Sequence, residues 1–364
     1  MRAMWMAVAM TVLAGGVANA GPFQDALKIV QDPTQLATRA DEAEKLFRAC
    51  TEKDPKAYEA WYNIGVLQLR RGDKAGARDS FNKALAVEPK HLSARAQLAG
   101  LDLQNPATEQ SALAALNDIV DNQDRFQPEA RNILAAYEIA HKNWEAAIKH
   151  GRNVLLGDKD NINAFLNIAI AYFKQGRYDQ AGLVASSALE SHPEAAALHN
   201  LMGLVYLQAD NSRQATEEFT SALKDDPTYD DARINLGALE LAYGNFDSAL
   251  KRFDEALKKD PRNVELLMSR GVALRGLGKF DDAEKSYNDA KVAAPGNAEI
   301  DYNLCILHQQ YTQKMDVAKT ACEAYVARID KTNPKFAEVQ KRLKSINAVL
   351  TRMNRPTTPT PNPP

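Results

Sequence analysis

Between residues 162 and 195 the apolar positions fall into two helical stretches. Phe165, Ile168, Ala169 and Tyr172 recur at three- and four-residue steps, Gly176 interrupts the run, and Tyr178, Ala181, Ala185, Ala188 and Leu189 resume it until Pro193. Periodicity of this kind, broken once by glycine and once by proline, predicts two antiparallel α-helices joined by a short turn. The punctuation recurs along the chain. Pro193, Pro227, Pro261 and Pro295 stand 34 residues apart, and Pro55 and Pro89 keep the same step. A fixed period of this size marks a helical repeat array, in which each pair of helices buries its apolar face on its neighbours.

Successive units also agree slot by slot. A small residue sits in the first helix (Gly65, Ala169, Gly203, Gly237, Gly271) and an alanine opens the second (Ala77, Ala181, Ala215, Ala249, Ala283). A large residue follows one turn later (Phe81, Phe219, Phe253, Tyr287, with Ala185 as a departure), then a second small one (Ala84, Ala188, Ala222, Ala256, Ala290). Small residues let paired helices approach, and the aromatic ring fills the gap beside them. The pattern resembles the tetratricopeptide repeat family. That resemblance implies an all-α, right-handed superhelix (an α-solenoid) of about nine helix pairs with a C-terminal capping helix.

The clear units are 58–91, 162–195, 196–229, 230–263 and 264–297. Residues 92–161 amount to two periods plus two residues and are expected to form two divergent units, roughly 92–127 and 128–161. Trp144, Ala147 and Ile148 carry part of the pattern in the second, while Leu98, Ala99 and an awkward Pro106 carry less in the first. Upstream, Ala43, Phe47, Cys50 and Pro55 mark the second half of a degenerate repeat at 21–57, for which residues 22–35 supply a poor first helix. Downstream, Leu304, Cys305, Ala318 and Cys322 mark a last unit with one extra residue, which closes the tandem array at 58–334. Residues 335–354 read as an amphipathic cap, with Phe336, Val339, Leu343, Ile346 and Leu350 on one side. The Pro/Thr-rich 355–364 should be extended or disordered.

Charge narrows the function classes. The formal net charge is −2, without the basic excess of a nucleic-acid binder. The first twenty residues stand apart: Arg2, an apolar run from Ala3 to Ala14, then Ala18-Asn19-Ala20. A positive start, a short apolar core and an A-x-A site describe a secretory signal cleaved between Ala20 and Gly21. The alternative is an uncleaved membrane anchor. No later segment is apolar for long enough to span a membrane, so the mature chain is expected in the periplasm.

Candidate chemistry is sparse. His91, His141, His150, His192, His199 and His308 are scattered without metal-ligand spacing, and the nucleophile-elbow, phosphate-loop and dinucleotide motifs are missing. No catalytic residue, metal, cofactor or small-molecule substrate is expected. The family resemblance places Cys305 and Cys322 in facing slots. They are expected to pair as a disulfide, the alternative being two buried thiols, and Cys50 is expected to stay free.

The resemblance also implies a concave face lined by first-helix residues. Here that row is mainly apolar: Tyr62, Val66 and Leu69; Leu166, Ile170 and Phe173; Leu204 and Leu207; Ile234 and Leu241; Met268 and Val272; Tyr302 and Ile306. Arg70, Lys174 and Arg275 would edge it. Such a groove suits an amphipathic helix or an extended apolar segment of a protein partner. The alternative is that these side chains pack between neighbouring first helices. Asn63, Asn167, Asn235 and Asn303 are expected to hold the turns between units. The function expected is a non-catalytic interaction scaffold in the bacterial cell envelope, serving a machine of pilus, secretion or gliding-motility type. The alternatives are a general periplasmic chaperone, or an accessory subunit of a cell-wall or polysaccharide-export enzyme.

Overall fold

The computed structural model describes residues 21–353. The stretch expected to be an export signal cleaved after Ala20 and the Pro/Thr tail lie outside the described residues, and Gly21 opens the first helix. Among the described residues there are nineteen α-helices and two π-helical turns, and no strand. The chain divides into two units, the first ending at Ala232 and the second beginning at Arg233.

The first unit is a series of helix pairs: α1 (Gly21–Gln31) with α2 (Pro33–Lys53), α3 (Tyr58–Arg70) with α4 (Lys74–Val87), α5 (Leu92–Asp102) with α6 (Glu109–Asp118), α7 (Pro128–Ala140) with α8 (Trp144–Gly157), α9 (Ile162–Lys174) with α10 (Tyr178–Ser191), and α11 (Ala196–Gln208) with α12 (Ser212–Asp225). A π-helical turn, Ile119–Gln123, continues α6. The division falls within α13 (Asp230–Ala242). The second unit continues with α14 (Phe246–Leu257), α15 (Val264–Gly276), α16 (Phe280–Ala293), α17 (Ala298–Ile306), a π-helical turn at Leu307–Thr312, α18 (Met315–Arg328) and α19 (Pro334–Met353).

The slot residues meet as their sizes require. Phe81 is fully buried, and a methyl group added to Gly65 would stand 2.6 Å from its ring. Gly203 meets Phe219 and Gly271 meets Tyr287 in the same way, and Gly237 meets Phe253 at 3.0 Å. One divergent unit inverts the arrangement. Gly151 occupies the large-residue position of α8, and Ile168 of α9 fills the vacated space, 2.6 Å from where a Cβ would be. The last unit replaces the contact with a covalent one. Cys305 and Cys322 form a disulfide with Cα atoms 5.0 Å apart, and both residues are fully buried.

Seven of the turns between paired helices place one residue in the left-handed region. Gly72, Gly176, Gly244 and Gly278 supply it with φ between 74° and 82°. Lys142, Asp210 and Gln313 hold the equivalent positions at φ 63°, 55° and 56°, a conformation that is uncommon for residues with a Cβ. Asn161, Asn211 and Asn263 cap their helices, each side-chain Oδ1 accepting from the backbone N–H three residues on.

Two expectations change. The N-terminal stretch is not a poor helix. In α1, Phe23, Ala26, Leu27 and Val30 are buried at helical spacing, and the Phe23 ring packs edge-on against Phe47 with centroids 5.3 Å apart. Nor do Asn167 and Asn303 hold turns. Asn167 Nδ2 donates to Asn132 Oδ1 (3.2 Å), tying α9 to α7, and Asn303 Nδ2 donates to Glu299 O within its own helix. Asn63 lies in the core, and its Nδ2 has no partner.

Candidate protein-binding surface

The candidate row runs along the first helix of each pair, because that helix packs one stripe on its partner helix and another on the next first helix. α5 packs on α7, α7 on α9 and α9 on α11. The stripe left between these contacts decides what can be touched from outside.

In the first unit the row is uneven. Tyr62, Val66 and Leu166 are 1%, 2% and 6% exposed, so they are core residues and not groove lining. Tyr62 packs against Phe81 and the His91 ring, with centroids 5.7 and 5.1 Å away. Burial, with the Glu129 carboxylate nearby, drives its hydroxyl well above the usual phenol range. Around it lies a buried polar network: Gln127 Nε2 donates to Ser93 Oγ at 3.1 Å and to Glu129 Oε2 at 2.5 Å. These polar residues take the place of the apolar lining expected there. Leu69, Ile170, Phe173, Leu204 and Leu207 are half-buried. Phe173 packs its ring edge-on against Tyr178 at 5.2 Å. Of the expected polar edge, Arg70 is already engaged: its Nη2 donates to Asp226 Oδ2 at 2.7 Å, tying α3 to the end of α12. Lys174 is exposed.

In the second unit Ile234, Leu241, Met268, Val272, Tyr302 and Ile306 are all half-buried. Tyr302 is taken by the cap. Its hydroxyl donates to the Glu338 carboxylate at 3.2 Å, and Lys335 Nζ sits 4.5 Å from its ring centroid, so α19 covers the end of the row. Arg275 packs over the Tyr311 ring, 5.7 Å from its centroid, and leaves Nη1 buried without a partner.

Groups with catalytic elements are structurally occupied. His199 lies between carboxylates, with Nδ1 2.7 Å from Glu218 and Nε2 3.6 Å from Asp225. The hydrogen bond to Glu218 raises its pKa. Nε2 also meets Pro193 O at 2.9 Å, so both ring nitrogens have partners and neither is free to take a substrate proton. Among the described residues no group of three or more His, Cys, Asp or Glu could hold a metal ion, and no helix is long and apolar enough to cross a membrane. Cys50 is free and buried, and burial pushes its thiol up, which disfavours the reactive thiolate.

Comparison with known proteins agrees with this architecture. Two sequence profiles described as tetratricopeptide repeat match, one at residues 37–91 and 234–298 and the other at 138–205. A chain in the crystal structure of the APC/C hetero-tetramer Cut9–Hcn1 superimposes with a TM-score of 0.71 at 16% identity, over 91% of this chain and 63% of that one. This likeness concerns the fold alone. An uncharacterized protein, y4yS, of Sinorhizobium fredii is 32% identical over 143 residues, 37% of this chain and 77% of that protein. Cellulose synthase 1 operon protein C of Komagataeibacter xylinus is 25% identical over 153 residues, 39% of this chain but only 12% of the relative's length. The two profiles together match more than half of the chain. It belongs to the tetratricopeptide repeat family, whose fold supports a protein–protein interaction scaffold.

Proposed function

We propose that this chain is a non-catalytic scaffold of the bacterial cell envelope, exported by its N-terminal signal, that holds an apolar segment of an envelope protein during assembly of a larger machine. One observation carries the reading. In each unit the first helices keep large aliphatic and aromatic side chains half-buried where the polar face of a surface helix would stand: Ile170, Phe173, Leu204 and Leu207 in the first, Ile234, Leu241, Met268 and Val272 in the second. Side chains of this size on a preformed surface offer anchors for an amphipathic helix or an extended apolar strand.

The test is recovery of partners by the tagged mature chain after mild cross-linking in its native envelope. Phe173→Asp and Leu207→Asp, each checked for an unchanged helical spectrum, should lose the partners that the parent recovers. Retention of every partner by both folded variants overturns the groove. A broad, substoichiometric set of exported proteins would replace the dedicated scaffold with a general chaperone.

A second reading, an accessory subunit of a polysaccharide-producing envelope enzyme, has one observation in its favour: the repeat-level likeness to a cellulose synthase operon protein. Stoichiometric co-purification with a glycan synthase or exporter would select it.

A further inference from the structure

The most unusual charge in the molecule is Arg131, at the start of α7. It is 7% exposed, yet no carboxylate lies within ion-pair distance of it among the described residues. Its guanidinium donates to backbone and imidazole acceptors only: Nε to Arg125 O, Nη2 to Val120 O at 3.5 Å and Nη1 to His150 Nδ1 at 3.3 Å. A buried guanidinium without a counter-ion is costly, and such groups are ordinarily paired. Burial lowers its pKa, but arginine stays charged at physiological pH.

Arg131 lines an open cavity of about 420 Å³ bordered by α6 with its π turn, the start of α7, and α8. Arg125, Lys149 and His150 line it too, and Asp121 is the one acid in the wall. Burial, reinforced by the neighbouring Arg131, pushes His150 down to about 4, so the ring is neutral at physiological pH. Arginine can only donate, so His150 Nδ1 accepts and the ring proton belongs on Nε2. The imidazole is thereby a second donor. Counting Arg125, Arg131 and Lys149 against Asp121, the lining residues carry a net charge of +2, with Asp124 a further carboxylate whose field reaches Arg131 without forming an ion pair. Val120 and Ala146 add an apolar patch. The volume falls in the range of small-molecule sites, about 300–1,000 Å³, more than a bare oxyanion fills. The π turn that forms part of the wall belongs to the unit carrying two extra residues, and such turns are frequent at functional sites.

We propose that this cavity is a binding site for a small phosphorylated molecule, its dianionic phosphate held by Arg131, Lys149 and the His150 Nε2–H, and its organic part lying over Val120 and Ala146. A dianion neutralises the wall, supplies the counter-ion Arg131 lacks, and accepts from several donors at once. The sequence alone predicts no small-molecule substrate; this site requires a ligand but no reaction. It is independent of the partner-binding row, so either can fail alone.

The experiment is calorimetric titration of the full mature chain with glycerol 3-phosphate, with inorganic phosphate, and with vesicles of phosphatidylglycerol as separate arms. Glycerol 3-phosphate should bind saturably and more tightly than inorganic phosphate. Lys149→Ala should weaken it about tenfold, the worth of one charge-assisted hydrogen bond. Arg131→Gln should abolish it, and Lys159→Ala, an exposed lysine away from the cavity, should leave it unchanged. Lys149→Ala keeps the test decisive should Arg131→Gln fail to fold. No saturable binding of either phosphate at millimolar concentration, or equal binding by Lys149→Ala and the parent, overturns the proposal. Binding confined to vesicles overturns it in favour of a lipid headgroup.

Discussion

Gly65→Ala sets two physical effects against each other. Gly65 lies inside α3, where alanine is the better helix former by about 1 kcal/mol. Propensity alone therefore predicts that the substitution stabilises. The structure predicts the opposite. The new methyl would lie 2.6, 2.8 and 3.0 Å from three ring carbons of Phe81, where carbon atoms prefer about 3.5–4.0 Å. Phe81 is fully buried, so its ring can yield only by pushing into packed neighbours, and overpacking of this kind costs about 1–3 kcal/mol. Three simultaneous short contacts argue for the upper end, a net loss of about 2 kcal/mol once the propensity gain is subtracted. Gly237→Ala is the internal control. Its nearest ring atom is 3.0 Å away, so propensity and crowding nearly cancel and the net change should be near zero. The assay is urea denaturation followed by far-ultraviolet circular dichroism. It is completed by a double-mutant cycle with Phe81→Ala, which alone should cost about 3–5 kcal/mol. Because the ring is what the methyl strikes, the double variant should be more stable than the sum of the singles by about 1–3 kcal/mol. Gly65→Ala more stable than the parent, or strict additivity in the cycle, would refute the claim that ring contact selects glycine here.

Two further predictions test other slots. Reduction of Cys305–Cys322, or its replacement by two alanines, removes the cross-link between residues 17 apart. It should cost about 3 kcal/mol by the loop-entropy relation, read as a fall in melting temperature under dithiothreitol; an unchanged melt refutes it. Lys142→Gly relieves a left-handed residue at φ 63° and should stabilise by about 1 kcal/mol, whereas the same change at Lys149, within α8, should destabilise by a similar amount. A Lys142→Gly variant that melts below the parent would sink the turn argument.

How much could be read from the sequence depends on how local each signal is. The helix pairs are legible because the repeat samples the same packing problem several times, so Gly65, Gly203, Gly237 and Gly271 report a contact that one copy could not. The facing cysteines are legible for the same reason, since their slots are known from the Gly271–Tyr287 pair. Gly151 escaped because it reverses the rule, with the filler Ile168 supplied by the next unit. The α1 helix is not legible because its five buried positions lack the repeated slot pattern that identifies the others. The candidate row is only partly legible. First-helix periodicity gives the direction of Tyr62, Val66 and Leu166, but not whether a neighbouring helix reaches them. The cavity was least visible of all. His150 and Arg131 lie on different helices, and each alone looks like an ordinary surface residue of a repeat.

The chain departs from its period where its unusual chemistry lies, and helix geometry gives a reason. One residue inserted into an α-helix rotates everything after it by about 100° and would turn each following slot away from its partner. A π-helical turn absorbs the insertion, because its wider loop takes one extra residue and leaves the later register intact. Between Gly271 and Tyr287 the facing slots are 16 residues apart (287−271), and between Cys305 and Cys322 they are 17 (322−305). The turn Leu307–Thr312 lies between the cysteines and takes up that residue. Without it Cys322 would face away from Cys305 and no disulfide could close. At Ile119–Gln123 the same device lets α7 resume in phase while Asp121 and Val120 remain in the bulge. Here they wall the cavity beside Arg131, so the π turn keeps the register of the array and creates a site that the regular repeat does not have.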